Sequence, residues 1–410
     1  MPQRIAAELQ ALASEARRKH PDVRHAAEDA AAAVRDPNAL SNLRTDSNPA
    51  TQHPLLAPLL LAFATRSPRV VLTALTTLHR GIVVQALPEH SIPAVLGALH
   101  ELVATHRTDV DDQLKILQIA SALLTQYKSI TAENLSATLM LCFDLYEHAR
   151  VAMVTSTAAS TLRQNIMATF DKVADEDVVL ASLADGGEDA AAAAPLPVLT
   201  ADTPDGTVEL FPCAADAYRV LADLKALANG ESATFLPLAA LSRTFVLELL
   251  ESVLTSHAPL FSGKPEPHPE LLYVVRSSIC PLLLKSLSDP PEFPVYVRTM
   301  RLVLLLLQRF SKELILEIEI LLRMLLRMIS CDTQEPRPHW HRILALEVVN
   351  ALCADGRFTR RAWLWYDAQE HVENPPTRIF SQLLNTLHQV ALELAPTLDR
   401  DPNLVRALED

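Results

Sequence analysis

Apolar side chains recur every three or four residues through almost the whole chain, and this spacing constrains the fold more than any other feature. Two of these stripes are Ile5, Leu9, Leu12, Ala16 and Leu314, Ile318, Leu321, Leu325. Side chains at this spacing lie on one face of an α-helix, whereas a half-buried strand would alternate with period two. The pattern therefore predicts helices that each have one apolar face to bury.

Proline, Asp and Ser mark the breaks between these stripes, for example at Asp36-Pro37-Asn38 and Ser67-Pro68. Proline lacks the backbone donor and disfavours helical geometry in the residue before it, so helices end there. A stack of antiparallel helix pairs is the simplest way to bury such stripes. Because no repeat recurs at a fixed period, we expect an all-α fold, an armadillo/HEAT-like α-solenoid of degenerate antiparallel helical repeats.

Composition agrees with helices and with more than one packed unit. Hydrophobic residues make up 49% of the 410 residues, aromatic residues only 5%, and glycine occurs eight times. Leu, Ala and Val carry this balance, and a composition with so few aromatic residues suits helices better than sheets. The length exceeds the roughly 100–200 residues of one domain, which predicts two packed units or one elongated stack.

Residues 175–207 differ from the rest, with eight acidic residues, no basic residue, an alanine run and several prolines. Low complexity, charge and helix breakers together predict a flexible linker. We therefore predict a helical domain at 1–174, an acidic flexible linker at 175–207 and a second helical domain at 208–410. An acidic segment that docks on a basic partner stays open as an alternative.

Charge and apolar runs exclude several classes of protein. The net charge is −13 and no stretch supplies the basic stripe that nucleic-acid binders need. The five cysteines are widely spaced without a Cys-x-x-Cys pair, which indicates reduced core thiols. The run Leu302 to Leu307 is far shorter than the ~20 apolar residues of a membrane span, so we expect a cytoplasmic protein.

The sequence contains no catalytic, cofactor or metal motif, so we predict a protein that is not an enzyme. Gly263-Lys264 is followed by proline and lacks the upstream glycine of a phosphate loop. His339 and His341 form a weak metal pair, and we expect exposed turn histidines instead. Asp111-Asp112 precedes a helix near Leu114 and is expected to stabilise its amino terminus through the helix dipole.

Two groups of residues are candidates for partner contacts. The first is a basic series that touches acidic lipid heads or an acidic partner, or that simply pairs with Glu313, Glu317 and Glu319 on a solvated face. Its members are Arg298, Arg301, Arg309, Arg323 and Arg327. The second group is Trp363, Trp365 and Tyr366, because large aromatic residues anchor interfaces. Burial of these aromatic residues against the next helix is the equal alternative.

Segments between Asp111 and Phe170 resemble a known domain. They are Gln113-Leu114-Lys115-Ile116-Leu117-Gln118, Leu139-Met140-Leu141-Cys142-Phe143 and Thr157-Ala158-Ala159-Ser160-Thr161-Leu162-Arg163-Gln164. They resemble the dimerisation and cyclophilin-binding (DCB) domain of the large Arf exchange factors and their relatives. The agreement is closest to the Mon-two family, the monensin-sensitivity scaffolds.

Later segments resemble the homology region upstream of the Sec-seven domain (HUS) in the same family. They are Phe245 to Leu254, Phe293 to Arg298 and Trp340 to Val348. The exchange factors carry an Asn-Tyr-Asp-Cys box, and this chain has Trp365-Tyr366-Asp367-Ala368. Tyr366 and Asp367 match the shared part of the box, and the changed flanks favour the Mon-two scaffolds. We expect Tyr366 and Asp367 to fix the geometry of the second domain.

The resemblance implies the amino-terminal region of a non-enzymatic scaffold in traffic between endosomes and the Golgi. It implies a peripheral location on trans-Golgi network and endosome membranes. The implied partners are a Dopey-family protein, an aminophospholipid flippase, Arf-like GTPases and a second copy of the chain. The alternative is the regulatory region of a true Arf exchange factor.

Overall fold

Helices account for most of the chain in the computed structural model, and the all-α helical-repeat prediction is confirmed. The structure describes residues 2–398 except 18, 36–38, 66, 106–107, 185–195, 239–240, 264–266, 290–291, 331–337 and 369–377. The described residues form two compact units. The first holds residues 1–223 and 232–238, and the second holds residues 224–231 and 239–410.

The first unit begins with nine helices in its described part, separated by short connections. They are α1 (Pro2–Ala16), α2 (Pro21–Ala33), α3 (Ala39–Arg44), α4 (Leu56–Phe63), α5 (Pro68–Val83), α6 (Ile92–Ala104), α7 (Val110–Gln126), α8 (Ala132–His148) and α9 (Ala152–Ala184). Proline occupies the first turn of α2, α5 and α6, where its missing donor costs nothing.

Packing in this unit follows the apolar stripes. Helix α1 packs on α2 and α5, α5 packs on α7, and both α7 and α8 pack on α9. The predicted stripe of α1 is buried at all four positions, with Ile5, Leu9, Leu12 and Ala16 each at 0% exposure. Burial of such side chains stabilises each by about 1.5–3 kcal/mol, so packing of the apolar faces, not helix propensity, carries the fold.

Helix α7 begins with a capping box, which confirms that the acidic pair stabilises a helix start. The Asp109 carboxylate accepts from the backbone of Asp112, and the Asp112 carboxylate accepts from the Asp109 N–H at 3.2 Å. Asp111 also lies in the first turn. The helix begins at Val110 and not near Leu114, because the capping residue is Asp109.

The segment predicted as a flexible linker contains regular structure at both ends. Residues 175–184 continue α9, and a hairpin of β1 (Leu199–Thr203) and β2 (Gly206–Leu210) follows. The hairpin pairs Leu199 with Leu210 and Thr203 with Gly206. The central part of the predicted linker, 185–195, lies outside the described residues.

Local contacts explain why this acidic segment is ordered at its start. The Glu176 carboxylate accepts hydrogen bonds from Cys213 N at 3.0 Å and from Ala214 N at 3.0 Å. These amides open α10 (Pro212–Asn229), so Glu176 caps that helix from a distance of 37 residues in sequence. The Glu176 carboxylate, one of the charges that suggested a solvated linker, therefore caps the start of α10.

The second unit contains the remaining helices of the described chain. They are α11 (Arg243–Ser256), α12 (Ala258–Phe261), α13 (Pro269–Val274), α14 (Cys280–Ser288), α15 (Phe293–Arg309), α16 (Ile315–Ile329), α17 (His339–Cys353), α18 (Gly356–Tyr366) and α19 (Ile379–Leu398). Helix α15 packs on α11 and α17, α16 packs on α17 and α19, and α18 packs on α19.

A π-helical turn, Val275–Ile279, joins α13 and α14 into one continuous helix. This helix, Pro269–Ser288, is the one in the described part of the chain that is long and apolar enough to cross a membrane by length and composition. Its apolar window is 56% buried inside the unit, as is usual for the core helix of a folded domain.

Aromatic rings fill the core beside α15. Tyr296 is completely buried, with its ring centroid 5.2 Å from that of Trp340 and 4.7 Å from that of His341. His341 is only 5% exposed, so the expectation of exposed turn histidines is wrong for this residue. The reason is that α17 already begins at His339, which places His341 on its inner face.

Candidate functional site

The four candidate residues from the sequence lie at the end of α18, and the structure divides them. Trp363 is 49% exposed and Trp365 is half-buried, whereas Tyr366 is 4% exposed. Asp367 is half-buried and directly follows the helix. The burial alternative therefore holds for Tyr366, whereas Trp363 stays exposed.

Tyr366 connects α18 to the start of α16. Its hydroxyl donates a hydrogen bond to the carbonyl oxygen of Ile315 at 2.8 Å. Burial, together with the negative charges of Glu319 and Glu317, raises the pKa of the Tyr366 hydroxyl well above its usual range. The hydroxyl is therefore neutral and donates to the first carbonyl of α16, in addition to the hydrogen bond within the helix.

Asp367 caps α19, although it lies thirteen residues before Phe380 in the sequence. Its Oδ1 accepts from Phe380 N at 2.8 Å, and its Oδ2 accepts from Ser381 N at 2.9 Å and from Ser381 Oγ at 2.5 Å. These amides belong to the first turn of α19, where backbone donors have no partner within the helix. A carboxylate there also interacts favourably with the helix dipole.

The backbone between α18 and α19 supports the same arrangement. Arg378 precedes α19 with a φ of +54°, and its N–H donates to the carbonyl of Tyr366 at 3.1 Å. Tyr366 and Asp367 together thus tie α16, α18 and α19 to one another. This geometry supports the expected positioning role of the pair and leaves Trp363 as the exposed aromatic residue of the group.

The basic series separates into paired and unpaired members. Arg298 pairs with Glu248 and with Glu251, the latter at 3.7 Å, and Arg323 pairs with Glu319 at 2.9 Å. Arg301 lies 3.8 Å from Glu251. The expected partners Glu313, Glu317 and Glu319 are therefore correct only for Arg323, because α15 faces the acidic positions of α11. Arg309 has no carboxylate partner among the described residues.

Arg309 instead lines a cleft with basic residues that the sequence analysis did not group together. The cleft has a volume of about 750 Å³ and is lined by Gln308, Arg309, Lys312, Asp355, Arg357, Arg360, Arg361 and Leu364. The spacing of three and four residues from Arg357 to Arg360 and Arg361 was the available signal, since it places them on one side of α18. We call this feature the basic cleft.

The thiols of Cys142, Cys213 and Cys280 are not suited to nucleophilic chemistry. Cys142, Cys213 and Cys280 are free, and burial raises the pKa of each to about 12. A protonated thiol is a poor nucleophile and a poor metal ligand. Within the described residues, His, Cys, Asp and Glu form no group that could hold a metal ion. Cys331 lies outside those residues.

Two buried carboxylates have raised pKa values, and both serve the backbone. Burial raises the pKa of Asp112 and of Asp216 to about 6. Asp112 belongs to the capping box of α7, and Asp216 Oδ2 accepts from Ala132 N at 2.8 Å, at the start of α8. These shifts have a structural origin, so they do not indicate general acid-base catalysis.

Family comparisons cover both parts of the chain. Residues 1–177 match the family model of the Mon2/Sec7/BIG1-like dimerisation and cyclophilin-binding domain. Residues 213–374 match the model of the Mon2/Sec7/BIG1-like HUS domain. The two matches leave residues 178–212 uncovered and follow the order that the sequence resemblance implies.

Similar curated proteins come from distant eukaryotes. The chain is 28% identical to a MON2 homolog of Xenopus laevis over 404 residues, which is 93% of this chain and 22% of that protein. It is 27% identical to the human MON2 homolog, with 93% and 22% covered, and 27% identical to Saccharomyces cerevisiae MON2, with 90% and 21% covered. The chain thus spans about a fifth of the length of these relatives.

Proposed function

Because the chain belongs to the Mon2/Sec7/BIG1-like family, we propose that it is part of a non-enzymatic scaffold in traffic between endosomes and the trans-Golgi network. The observation that carries this proposal is the succession of DCB and HUS matches, together with seven MON2 relatives that align over most of the chain. The division at 1–174 and 208–410 corresponds to these two domains in the proposal.

The proposed partners are a Dopey-family protein, an aminophospholipid flippase and Arf-like GTPases at the membrane. Helical-repeat proteins offer extended surfaces that contact several partners. Holding partners together raises their effective concentration without one tight site. The name of the matched first domain, dimerisation and cyclophilin-binding, also supports self-association and contact with a cyclophilin.

Exposed aromatic surface on α18 provides a specific point of contact in this proposal. Trp363 is about half exposed, although tryptophan is usually highly buried in folded domains. Large aromatic residues supply much of the binding energy at interfaces. We therefore assign Trp363, with the half-buried Trp365 beside it, to a partner interface of the second unit.

The test is affinity purification of the full-length protein from its own cells, followed by quantitative mass spectrometry. The proposal requires a Dopey-family protein and a flippase in the purified material, and location of the scaffold on trans-Golgi and endosome membranes. A diffuse distribution without these partners would reject it. Trp363→Ala is expected to reduce at least one partner by about tenfold, corresponding to about 1.4 kcal/mol.

The alternative is the regulatory region of an Arf exchange factor. The family description names Sec7 and BIG1 beside Mon2, so the matches alone leave this function open. The Trp365-Tyr366-Asp367-Ala368 sequence favours the Mon-two scaffolds, because the exchange factors carry Asn and Cys at its two ends. Release of labelled GDP from purified Arf, accelerated by the full-length protein, would establish the alternative.

A further inference from the structure

We propose that the basic cleft of the second unit binds an acidic segment of a partner protein. The inference rests on the charges and shape of this chain alone. It therefore holds whether the whole protein is a scaffold or an exchange factor. The cleft lies between the end of α15 and the first part of α18, and its lining does not include the Trp365 to Ala368 box.

The cations of the cleft are exposed and have no acidic partner. Arg309, Lys312, Arg357 and Arg360 are exposed, and within the described part of the chain none forms an ion pair. Other basic residues of the second unit do pair, as Arg298 of α15 and Arg323 of α16 show. The chain carries a net charge of −13, so an unneutralised group of cations is not a consequence of its composition.

The one acidic residue of the cleft is already engaged. Asp355 precedes α18, and its Oδ1 accepts from Arg357 N at 2.9 Å. It therefore caps the helix, and its single negative charge cannot balance the five nearby cations. Like charges in one cleft repel each other, and a bound anion removes that repulsion.

Arg361 shows that part of the cleft is preorganised. Its Nε donates to the carbonyl oxygen of Arg357 at 3.1 Å, and the side chain is half-buried. This contact restrains the guanidinium group before any ligand arrives, which lowers the entropy cost of binding. Guanidinium groups bind carboxylates through two parallel hydrogen bonds, so arginine is well suited to recognise Asp and Glu.

The spacing of the cations suits an extended peptide. Arg357 and Arg361 are four residues apart, about 6 Å along α18. Alternate side chains on one face of an extended chain recur every ~6.6 Å. Long arginine side chains easily cover this small difference, so carboxylates at every second position of a peptide can reach successive cations.

The shape of the cleft favours a peptide over a membrane surface. A bilayer presents a broad plane, whereas these cations line a recess of about 750 Å³. Leu364 is the one large apolar residue in the lining, and amphipathic membrane-binding helices instead insert a wide apolar face. A carboxylate-bearing chain can enter the recess and contact both walls.

The test uses the full 410-residue chain and a fluorescein-labelled twelve-residue peptide that alternates Glu with Ser. We expect saturable binding in fluorescence anisotropy that weakens as NaCl rises, because salt screens exposed charges. The cleft variant combines Arg309→Gln, Lys312→Gln, Arg357→Gln and Arg360→Gln. Its affinity for the peptide is expected to fall at least tenfold.

A control variant removes the same charge elsewhere. It combines Arg4→Gln, Arg150→Gln, Lys285→Gln and Arg327→Gln, which are also exposed and do not line the cleft. Its affinity is expected to stay within about twofold of the original chain. An equal loss in both variants would show non-specific charge attraction and overturn the proposal, as would absence of peptide binding by the original chain.

A charge-preserving variant and a vesicle assay distinguish a peptide ligand from a lipid surface, and melting curves serve as a folding control. Arg309→Lys, Arg357→Lys and Arg360→Lys together keep the charge but lose the forked geometry, so intermediate affinity is expected. Sedimentation with vesicles containing phosphatidylserine tests the membrane. Vesicle binding that depends on the four cleft residues, without peptide binding, would overturn the proposal in favour of a lipid surface. Matching melting curves by circular dichroism establish that the variants fold.

Discussion

Single side chains in this protein act mainly by satisfying backbone groups at helix ends. Tyr366 donates to Ile315 of α16, Asp367 accepts from the first turn of α19, and Glu176 accepts from the first turn of α10. Each of these contacts joins residues that are far apart in sequence. Their loss therefore affects how helices are placed as well as local stability.

Replacement of Tyr366 by Phe removes one buried hydrogen bond without changing the ring. We expect Tyr366→Phe to lower the free energy of unfolding by about 1 kcal/mol, since the buried hydrogen bond from the hydroxyl to the Ile315 carbonyl is lost. Urea unfolding followed by circular dichroism measures this change. Tyr273→Phe is the control, because Tyr273 is half-buried and its hydroxyl makes no hydrogen bond within the described structure. Equal effects would contradict the assigned role of Tyr366.

The raised pKa of Asp216 predicts that the free energy of unfolding depends on pH. Burial raises its pKa in the folded chain to about 6, above the usual value of 3.8. The folded state therefore holds the proton more strongly, and this contribution to stability is lost as the pH rises towards 6 and beyond. Asp216→Asn removes the titration while keeping an acceptor for Ala132 N.

The expected result is that Asp216→Asn gains stability relative to the original chain between pH 4.5 and pH 7. The full shift of about two pKa units, worth ~1.4 kcal/mol each, amounts to about 3 kcal/mol. On the order of 2 kcal/mol of this falls between pH 4.5 and pH 7, because the loss begins near pH 3.8. Urea unfolding at several pH values provides the measurement. Asp111→Asn, at an exposed position of α7, serves as the control. A relative stability of Asp216→Asn that is independent of pH would refute the shift.

At the scale of elements, the helices and many of their ends follow from the sequence. Apolar periodicity predicts α1 and α16, proline in the first turn marks α5, and the acidic pair marks the start of α7. Remote caps cannot be derived in this way, because Asp367 and Phe380 are thirteen residues apart and meet only in the folded chain. The acidic residues Asp175 to Asp177 suggested a linker because the contact of Glu176 with Cys213 N also forms only in the folded chain.

Helix α19 provides a test of remote capping. Asp367→Ala removes the acceptor of Phe380 N, Ser381 N and Ser381 Oγ, so the first turn of α19 is expected to open more often. Amide hydrogen exchange should rise in residues 379–383, and the free energy of unfolding should fall by about 1–2 kcal/mol. Asp289→Ala, at an exposed position, should change neither quantity. Unchanged exchange in α19 after Asp367→Ala would refute the cap.

At the scale of the whole molecule, the division of the chain differs in detail from the prediction. Residues 208–223 and 232–238 belong to the first compact unit, whereas the sequence assigned them to the second domain. Hydrogen bonds from Ala132 N to Asp216 and from Ser136 to the Phe235 carbonyl account for this. Such contacts depend on the folded chain, so composition alone could not place the boundary.

Fragments can test this boundary. A fragment of residues 1–238 is expected to melt cooperatively and at a higher temperature than a fragment of residues 1–174. The shorter fragment lacks Glu176, whose carboxylate connects α9 to α10. It also lacks Asp216, whose carboxylate connects α10 to the start of α8. Circular dichroism melting curves compare the two. Equal melting temperatures would show that the contacts after residue 174 do not stabilise the first unit.

We propose that this family member works by holding partners on helical surfaces. The most direct measurement is light scattering during size-exclusion chromatography of the purified full-length protein mixed with a purified Dopey-family protein. We expect one co-eluting species whose mass equals the sum of whole numbers of the two chains. Separate elution of the two proteins, together with accelerated GDP release from Arf in the same preparation, would contradict it.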